Sequence, residues 1–530
     1  MMQDREHRSV AHSFSALFLN CAIEVRKFHV SGWSERPSSE SSLGSQLVDM
    51  FSHFEEQGSE QSLLFFDHSS RWMWYGADKP DIVFCDRKMS KECGVALGRE
   101  RRCTWPMVCF VIEMKTSAFL KENPTEESFL TTDGYAALGQ LANRCLRFDR
   151  DELFFGAVMD SSKIQFWRAD AADKNSTRRW ARWPASGLDM FGKSRGGFRG
   201  IDYLLSVYFN GRAASLRPGS TSVDLQKAVT EIRKKRGADV MVVPITPCRP
   251  GTSHAFVLSV MRENKTAMVV KLWPLSDETA SSRMSRELHA LKKKFRGAAQ
   301  LAKPSLEIDI RGWSGFGMMS AGNISLRDYM RHLEVSHVTG GKWTMLKRIV
   351  LSVGRTLVRV HNSKYVHCDV KPANIVVNEA NEATLVDFEH CVKMKEKIVG
   401  YTLRYCARGL VVLQDGNCIV STDSAEARAL FDWESLFFSV LDVLVDELAF
   451  AAKYDALEKA SEYWENQQKR STSWIAAARP AFIAMNPIKH LDEKEQLEAQ
   501  KFMIEFADLI LQYQDRDDLL DARVSDFLEK

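Results

Sequence analysis

Apolar residues recur along this 530-residue chain in two rhythms. Short apolar runs closed by turn residues predict strands at Ile82-Val-Phe-Cys85, Met107–Thr116, Leu153–Met159, Lys163–Arg168, Val240–Val243, Phe256–Val260 and Ala267–Lys271. Apolar positions three and four apart predict helices instead. They occur at Phe14, Leu17, Phe18, Cys21 and Val25, and at Leu138, Leu141, Ala142 and Cys145. A longer stripe runs through positions 346, 349, 350, 353, 357 and 360. Further helices are expected at 47–56, 281–291, 437–450 and 502–511, with loops at 37–45 and 192–200. The apolar run Tyr203–Phe209 should pack back onto the first half of the chain. Ala213–Thr221, with its Pro-Gly-Ser, reads as the start of a linker. The division that results is a first domain at 10–212, a linker at 213–236 and a second domain at 237–530.

Composition changes this picture little. A chain of this length exceeds what one core usually organises, so two or three domains are expected. With 45% hydrophobic and 27% charged residues it reads as an ordinary globular protein. A net charge of +3 does not call for nucleic acid. The basic clusters Arg233-Lys-Lys-Arg236 and Lys292-Lys-Lys294 read as solvated helix faces. From eleven cysteines, an odd number with no C-x-x-C pair, neither a disulfide scaffold nor a zinc site follows, and they suit a reducing compartment. No stretch reaches transmembrane length, so no membrane partner is expected. The run Phe14–Leu19 lacks a small-residue cleavage site and continues into Glu24-Val-Arg-Lys27, so a buried helix fits it better than a signal peptide.

The chemistry concentrates in Tyr365-Val-His-Cys-Asp-Val-Lys-Pro-Ala-Asn-Ile-Val-Val377 and Thr384-Leu-Val-Asp-Phe-Glu389. Asp369, Lys371 and Asn374 share one short loop between apolar runs, and Asp387 ends the next apolar strand. That layout holds a hydroxyl, a phosphate and a metal ion close together. It resembles the catalytic loop and metal-binding loop of protein kinases, H-R-D-x-K-x-x-N and D-F-G. The resemblance implies a bilobal α+β fold, with a small lobe at 237–318 and a large lobe at 319–530. It implies ATP and Mg²⁺ as cofactors and a protein as substrate. Asp369 would orient the substrate hydroxyl, Lys371 would neutralise the γ-phosphate, and Asn374 and Asp387 would hold Mg²⁺. Lys271 would contact the ATP phosphates, paired with Glu287, and Gly251 would stand in the phosphate-covering loop. Lys371 two residues after Asp369 resembles serine/threonine kinases.

Four positions depart from the pattern. The loop Arg249–Val257 carries one glycine, Gly251. Cys368 replaces the arginine that would bind a phosphate on the activation segment. Glu389 replaces the glycine of D-F-G, and Arg408-Gly409 stands where P-E is expected. Asp432 resembles the buried aspartate that ties the following helix to the catalytic loop. The expected enzyme is a divergent kinase whose activity does not require phosphorylation of that segment.

In the first half, Pro80-Asp81 opens a strand and Glu113-Met-Lys115 closes another. Alternation puts Glu113 and Lys115 on one side of their strand and Ile112 and Met114 on the other. Two carboxylates with a lysine suit Mg²⁺ and a polarised water. A helix follows, on which Gln140, Arg144 and Arg147 share a face, and then a hairpin turning at Asp160-Ser-Ser162. Arg99, Arg101 and Arg102 lie in the intervening loop. The run resembles the PD-(D/E)xK nuclease core and is similar to the domain preceding the kinase in Crinkler-class and fungal-type kinase fusions. The fold class expected is therefore an α/β PD-(D/E)xK nuclease-like domain followed by a protein-kinase-like fold. In the first domain Asp81, Glu113 and Lys115 would be catalytic, Asp81 and Glu113 binding the metal, with DNA as partner. The alternative is an inert ion network on a recycled fold. Three functions remain open: a Ser/Thr protein kinase, a Mg²⁺-dependent DNA nuclease regulated by a kinase fold, and a non-catalytic interaction protein. The expected location is intracellular, in the cytoplasm or nucleus; the alternative is a secreted effector acting inside a host cell, for which the start of the chain offers no leader.

Overall fold

The computed structural model describes residues 44–47, 49–51, 63–67, 80–93, 103–115, 118–121, 130–145, 154–160, 162–169, 180–190, 200–210, 222–246, 255–262, 265–302, 306–310, 312–322, 324–335, 341–378, 380–402, 405, 411–414, 417–420, 425–444, 491–513 and 515–529. The expectations at Phe14–Val25, Arg99, Arg101, Arg102, Arg147, the linker start 213–221, Gly251 and Arg408-Gly409 lie outside the described residues. Internal contacts divide the chain into two units, the first ending at residue 265 and the second running from 266 to the C-terminus, apart from short segments exchanged at 75–77 and 251–255.

The first unit is built on a six-stranded sheet whose strands lie in chain order: β1 (Leu63–Asp67), β2 (Ile82–Asp86), β3 (Val108–Met114), β4 (Phe154–Met159), β5 (Lys163–Ala169) and β6 (Trp180–Asp189). Helix α1 (Arg87–Glu92) follows β2, and Asp86 caps it by accepting from the Met89 N–H at 2.7 Å. All pairs are antiparallel except β3 with β4, which α2 (Thr132–Cys145) joins as a crossover. Every residue of β3 is buried because helices cover both faces. On one face Phe84, Phe110, Ile112 and Met114 pack with Ile201, Leu204 and Tyr208 of α3 (Gly200–Asn210). On the other face α2 rests on β3 and β4. It approaches closely because position 156 has no side chain: a Cβ on Gly156 would lie 2.6 Å from Leu141. The hairpin β4–β5 turns at Asp160, whose Oδ1 accepts from the Ser162 and Lys163 N–H groups at 2.6 and 2.8 Å.

The second part of the stretch read as linker is helical. Helix α4 (Ser222–Arg236) buries Leu225, Ala228, Val229 and Ile232 and leaves Lys234 and Lys235 in solvent, whereas Arg233 and Arg236 are half-buried, so only half of the basic cluster is a solvated face. Strands β7 (Met241–Pro244) and β8 (Phe256–Arg262) pair as a hairpin and group with the first unit. Two hydrogen bonds explain that grouping: Val242 N–H donates to Cys93 O at 3.0 Å and the Thr104 hydroxyl to Pro244 O at 2.6 Å.

In the second unit β9 (Lys265–Pro274) precedes α5 (Glu278–Lys292), capped by Asp277. Strands β10 (Glu307–Ile310) and β11 (Trp313–Met319) follow, and β11 lies between β10 and β9. Phe316–Gly322, which the kinase resemblance puts at the hinge between lobes, is strand through Met319; the chain leaves the sheet only at Ser320. After β12 (Ile324–Ser325), Ser325 and Asp328 bond reciprocally to start α6 (Leu326–Val335). Helix α7 (Lys342–Asn362) buries all six positions of its predicted stripe at 0–1% exposure. It packs against β13 (Tyr365–Val366) and β15 (Ala383–Leu385), which pair with β16 (Val392–Lys393) and β14 (Ile375–Val377). A hairpin of β17 (Val411–Gln414) and β18 (Asn417–Val420) comes next. Helices α8 (Ala429–Leu444), α9 (Glu493–Gln512) and α10 (Asp517–Leu528) close one large core with α7.

Candidate active site

The loop from His367 to Asn374 is held from beneath. Asp432, fully buried in the first turn of α8, accepts from the His367 N–H at 2.7 Å and the Cys368 N–H at 2.9 Å, one on each carboxylate oxygen. Those bonds fix Cys368 at φ +66, a left-handed conformation that a non-glycine residue adopts only under such constraint. His367 Nδ1 accepts the Asp369 N–H at 3.3 Å, so Nε2 carries the proton and donates to Val386 O at 3.1 Å. Burial lowers the pKa of this imidazole, which keeps it neutral and in that tautomer. One histidine thus fastens the catalytic loop to the strand that delivers Asp387.

Above this support the polar side chains converge. Lys371 Nζ lies 2.7 Å from Asp369 Oδ2 and 2.9 Å from Thr402 Oγ1, and the Thr402 hydroxyl donates to Asp369 Oδ1 at 2.6 Å. Asn374 Nδ2 donates to Asp369 O at 2.9 Å and to Oδ2 at 3.1 Å. At the end of β15, Asp387 turns into the left-handed region, φ +68, which aims its carboxylate at Lys271 Nζ, 2.6 Å away. The same ammonium lies 2.7 Å from Glu287 Oε2 on α5. Burial by itself would lower the Lys271 pKa, but Asp387 and Glu287 override it and hold the ammonium well above the ordinary lysine range. Burial likewise opposes ionisation of Asp387, yet Lys271 beside it keeps that carboxyl well below the usual range. Both groups are charged throughout the physiological range.

Residues 315–511 match the family model of the protein kinase domain. The chain carries a protein kinase domain. The match takes in Asp369, Lys371, Asn374 and Asp387, whereas Lys271 and Glu287 precede it; the 2.6 and 2.7 Å contacts are what join them to the matched residues. No curated protein matches the chain.

In the kinase domain the remaining ligand atoms fit a hard divalent cation. Asn374 spends its amide nitrogen on Asp369, which leaves its carbonyl oxygen, and Asp387 supplies an ionised carboxylate that is about a quarter exposed. Two polar partners of this site were not foreseen. Thr402 lies in the activation segment, 33 residues from Asp369, where one threonine among many gives no periodic signal. Asp521 on α10 accepts from the Trp433 indole at 2.7 Å and meets His361 Nδ1 at 2.8 Å, while His361 Nε2 lies 3.0 Å from Asp432. Asp432 itself sits where its resemblance put it. Cys368 is buried, its thiol directed to Val366 O at 3.7 Å, and burial pushes its pKa up, so no cation stands at that position.

In the first unit Asp81, Glu113 and Lys115 also come together. The pairing of Ile82 with Ile112 sets Asp81 opposite Glu113 across β2 and β3. Met114 N–H donates to Asp81 Oδ2 at 2.6 Å, and Arg144 Nε lies 2.9 Å from Glu113 Oε1. Glu113 is 2% exposed; burial raises its carboxyl to about 7 against the opposing pull of Arg144. Of the residues expected to share a face here, Arg144 of α2 reaches this cluster and Gln140 of α2 is exposed. Both carboxylates are engaged within the protein: Glu113 is bonded to a guanidinium and Asp81 accepts a backbone N–H.

Proposed function

We propose that the chain is an ATP- and Mg²⁺-dependent protein kinase that phosphorylates serine or threonine hydroxyls. The observation that carries this reading is the pair of bonded groups Glu287–Lys271–Asp387 and Asn374–Asp369–Lys371, complete in every charged and polar member. Asp369 orients and accepts the proton of the attacking hydroxyl. Lys371 steadies the transferred phosphoryl group, and Lys271, held by Glu287, grips the phosphates behind it. Asn374 and Asp387 hold Mg²⁺, which when bound neutralises the developing charge on the phosphate oxygens. That Asp369 already accepts a hydrogen bond from an aliphatic alcohol, Thr402, supports the serine/threonine preference.

Radiolabelled ATP transfer to a general acceptor protein, with phosphoamino-acid analysis, tests the reading. Asp369→Asn should lower transfer by about 10²- to 10⁴-fold while nucleotide binding persists. Equal labelling by wild type and variant, or label on tyrosine alone, refutes it.

A second reading, a DNA nuclease in a PD-(D/E)xK-like domain at 10–212, is favoured by the juxtaposition of Asp81, Glu113 and Lys115. The Arg144 pair opposes it. Cys85, Cys93, Cys103, Cys109, Cys145, Cys368 and Cys391 form no disulfide, which suits the reducing, intracellular setting read from the sequence. No described helix is long and apolar enough to cross a membrane.

A further inference from the structure

Glu389 stands where a glycine is expected, yet its backbone has no need of glycine. Phe388–His390 form one 3-10 turn, and the left-handed residue is Asp387, not Glu389. What the side chain gains by being there is contact with α5. Its carboxylate, 13% exposed, lies 3.9 Å from Arg283 Nη1 and 3.3 Å from His390 Nε2. Arg286 Nε donates to the Glu389 carbonyl oxygen at 2.9 Å. Arg283, Arg286 and Glu287 occupy consecutive turns of one helix, so the element that delivers Glu287 to Lys271 is also tied twice to the turn that follows Asp387. Phe388 completes the attachment: its ring stacks on Phe295, just beyond α5, and meets His367 of the catalytic loop edge-on at 4.6 Å.

We propose that Glu389, with Arg283 and Arg286, is a built-in clamp that positions α5 and the Asp387 turn so that Lys271, Glu287 and Asp387 stay assembled without any modification of the chain. The proposal rests on the kinase reading for its consequence in turnover, but not for its effect on nucleotide binding. These are positioning residues, none touching the phosphates. Losing the clamp lets α5 shift Glu287 off Lys271, so nucleotide binding and turnover fall while the packing of α7 with α8, α9 and α10, which uses none of the three clamp side chains, keeps its stability.

The test uses the full chain after phosphatase treatment, as wild type, Glu389→Gln, Glu389→Gly, Arg283→Gln and the Glu389→Gln/Arg283→Gln double variant. Binding of a fluorescent ATP analogue with Mg²⁺ and hydrogen exchange in residues 278–292 and 385–391 are measured beside phosphotransfer. Binding should weaken about fivefold in each single variant, and exchange in both segments should quicken. The double variant should be no worse than the worse single, and the melting temperature should be unchanged. Wild-type binding and exchange in Glu389→Gln, or additive losses in the double variant, overturn the clamp. Wild type that binds nucleotide but transfers no phosphate would overturn the kinase reading alone, since binding and exchange still judge the clamp.

Discussion

His361 makes the stability of the kinase domain depend on pH in a direction that can be worked out. Its ring has no exposed surface and carries a carboxylate on each nitrogen, Asp432 at 3.0 Å and Asp521 at 2.8 Å. Burial alone would lower its pKa; the two aspartates override this and push it up to about 9 from an ordinary 6.5. The folded chain therefore keeps a proton that the unfolded chain gives up. The stabilisation is fully present below pH 6.5 and is lost as pH rises through 9. A gap of about 2.5 units at about 1.4 kcal/mol per unit amounts to about 3 kcal/mol. Urea unfolding of wild type and His361→Gln from pH 6 to 9.5 measures it, because the difference between the two cancels the other titrating groups. The advantage of wild type should shrink by about 3 kcal/mol over that range, most steeply between pH 7 and 9. Asp521→Asn should flatten the same curve, which assigns the transition to this domain. A difference that stays constant with pH, or grows, refutes the reasoning.

Two further outcomes follow from the ion pairs. Lys271→Met leaves Glu287 and Asp387 without their shared cation; binding of ATP with Mg²⁺, read by fluorescence titration, should weaken by at least about tenfold, since a charge-assisted contact of about 1.5–3 kcal/mol is removed. In the first unit, Arg144→Met strands the buried Glu113 carboxyl and should cost about 3 kcal/mol in the unfolding transition of that unit. The intact Arg144 pair also predicts that titrated Mn²⁺ finds no site there by electron paramagnetic resonance and that plasmid cleavage with Mg²⁺ is the same in wild type and Glu113→Ala; cleavage lost on that substitution would restore the nuclease reading.

What the sequence made legible is what local pattern encodes. The stripe of α7 and the runs that became β2 to β5 announced themselves by period, because each buries a face set by its own spacing. Asp369, Lys371, Asn374 and Asp387 were legible because their chemistry needs fixed spacing within one loop and the strand after it. Lys271 and Glu287 were legible only through their order in the chain. Thr402, Asp521 and Arg283 were not, because each meets its partner across 33 to 160 residues through isolated polar contacts with no repeat around them. The hinge read at 316–322 was half strand because Phe316–Met319 pair fully with β9, and alternation cannot say how far a ladder extends. Arg144 was placed on the right face of its helix, but which carboxylate it would meet depends on the crossover between β3 and β4.

The departures from the kinase pattern also have a common physical sense. An arginine at 368 or a glycine at 389 would leave a charge or a backbone torsion to be set by something outside the sequence. Here position 368 is a buried neutral thiol, its N–H bonded to Asp432 and its Sγ directed to Val366 O, and position 389 is an anion already facing a cation on α5. Both replacements remove a degree of freedom next to the reacting groups and satisfy it within the fold. The ordering entropy that a switchable loop would lose at each activation is instead lost once, on folding. A site assembled in this way should be controlled by access of substrate and nucleotide rather than by rearrangement of Asp387 and Glu287.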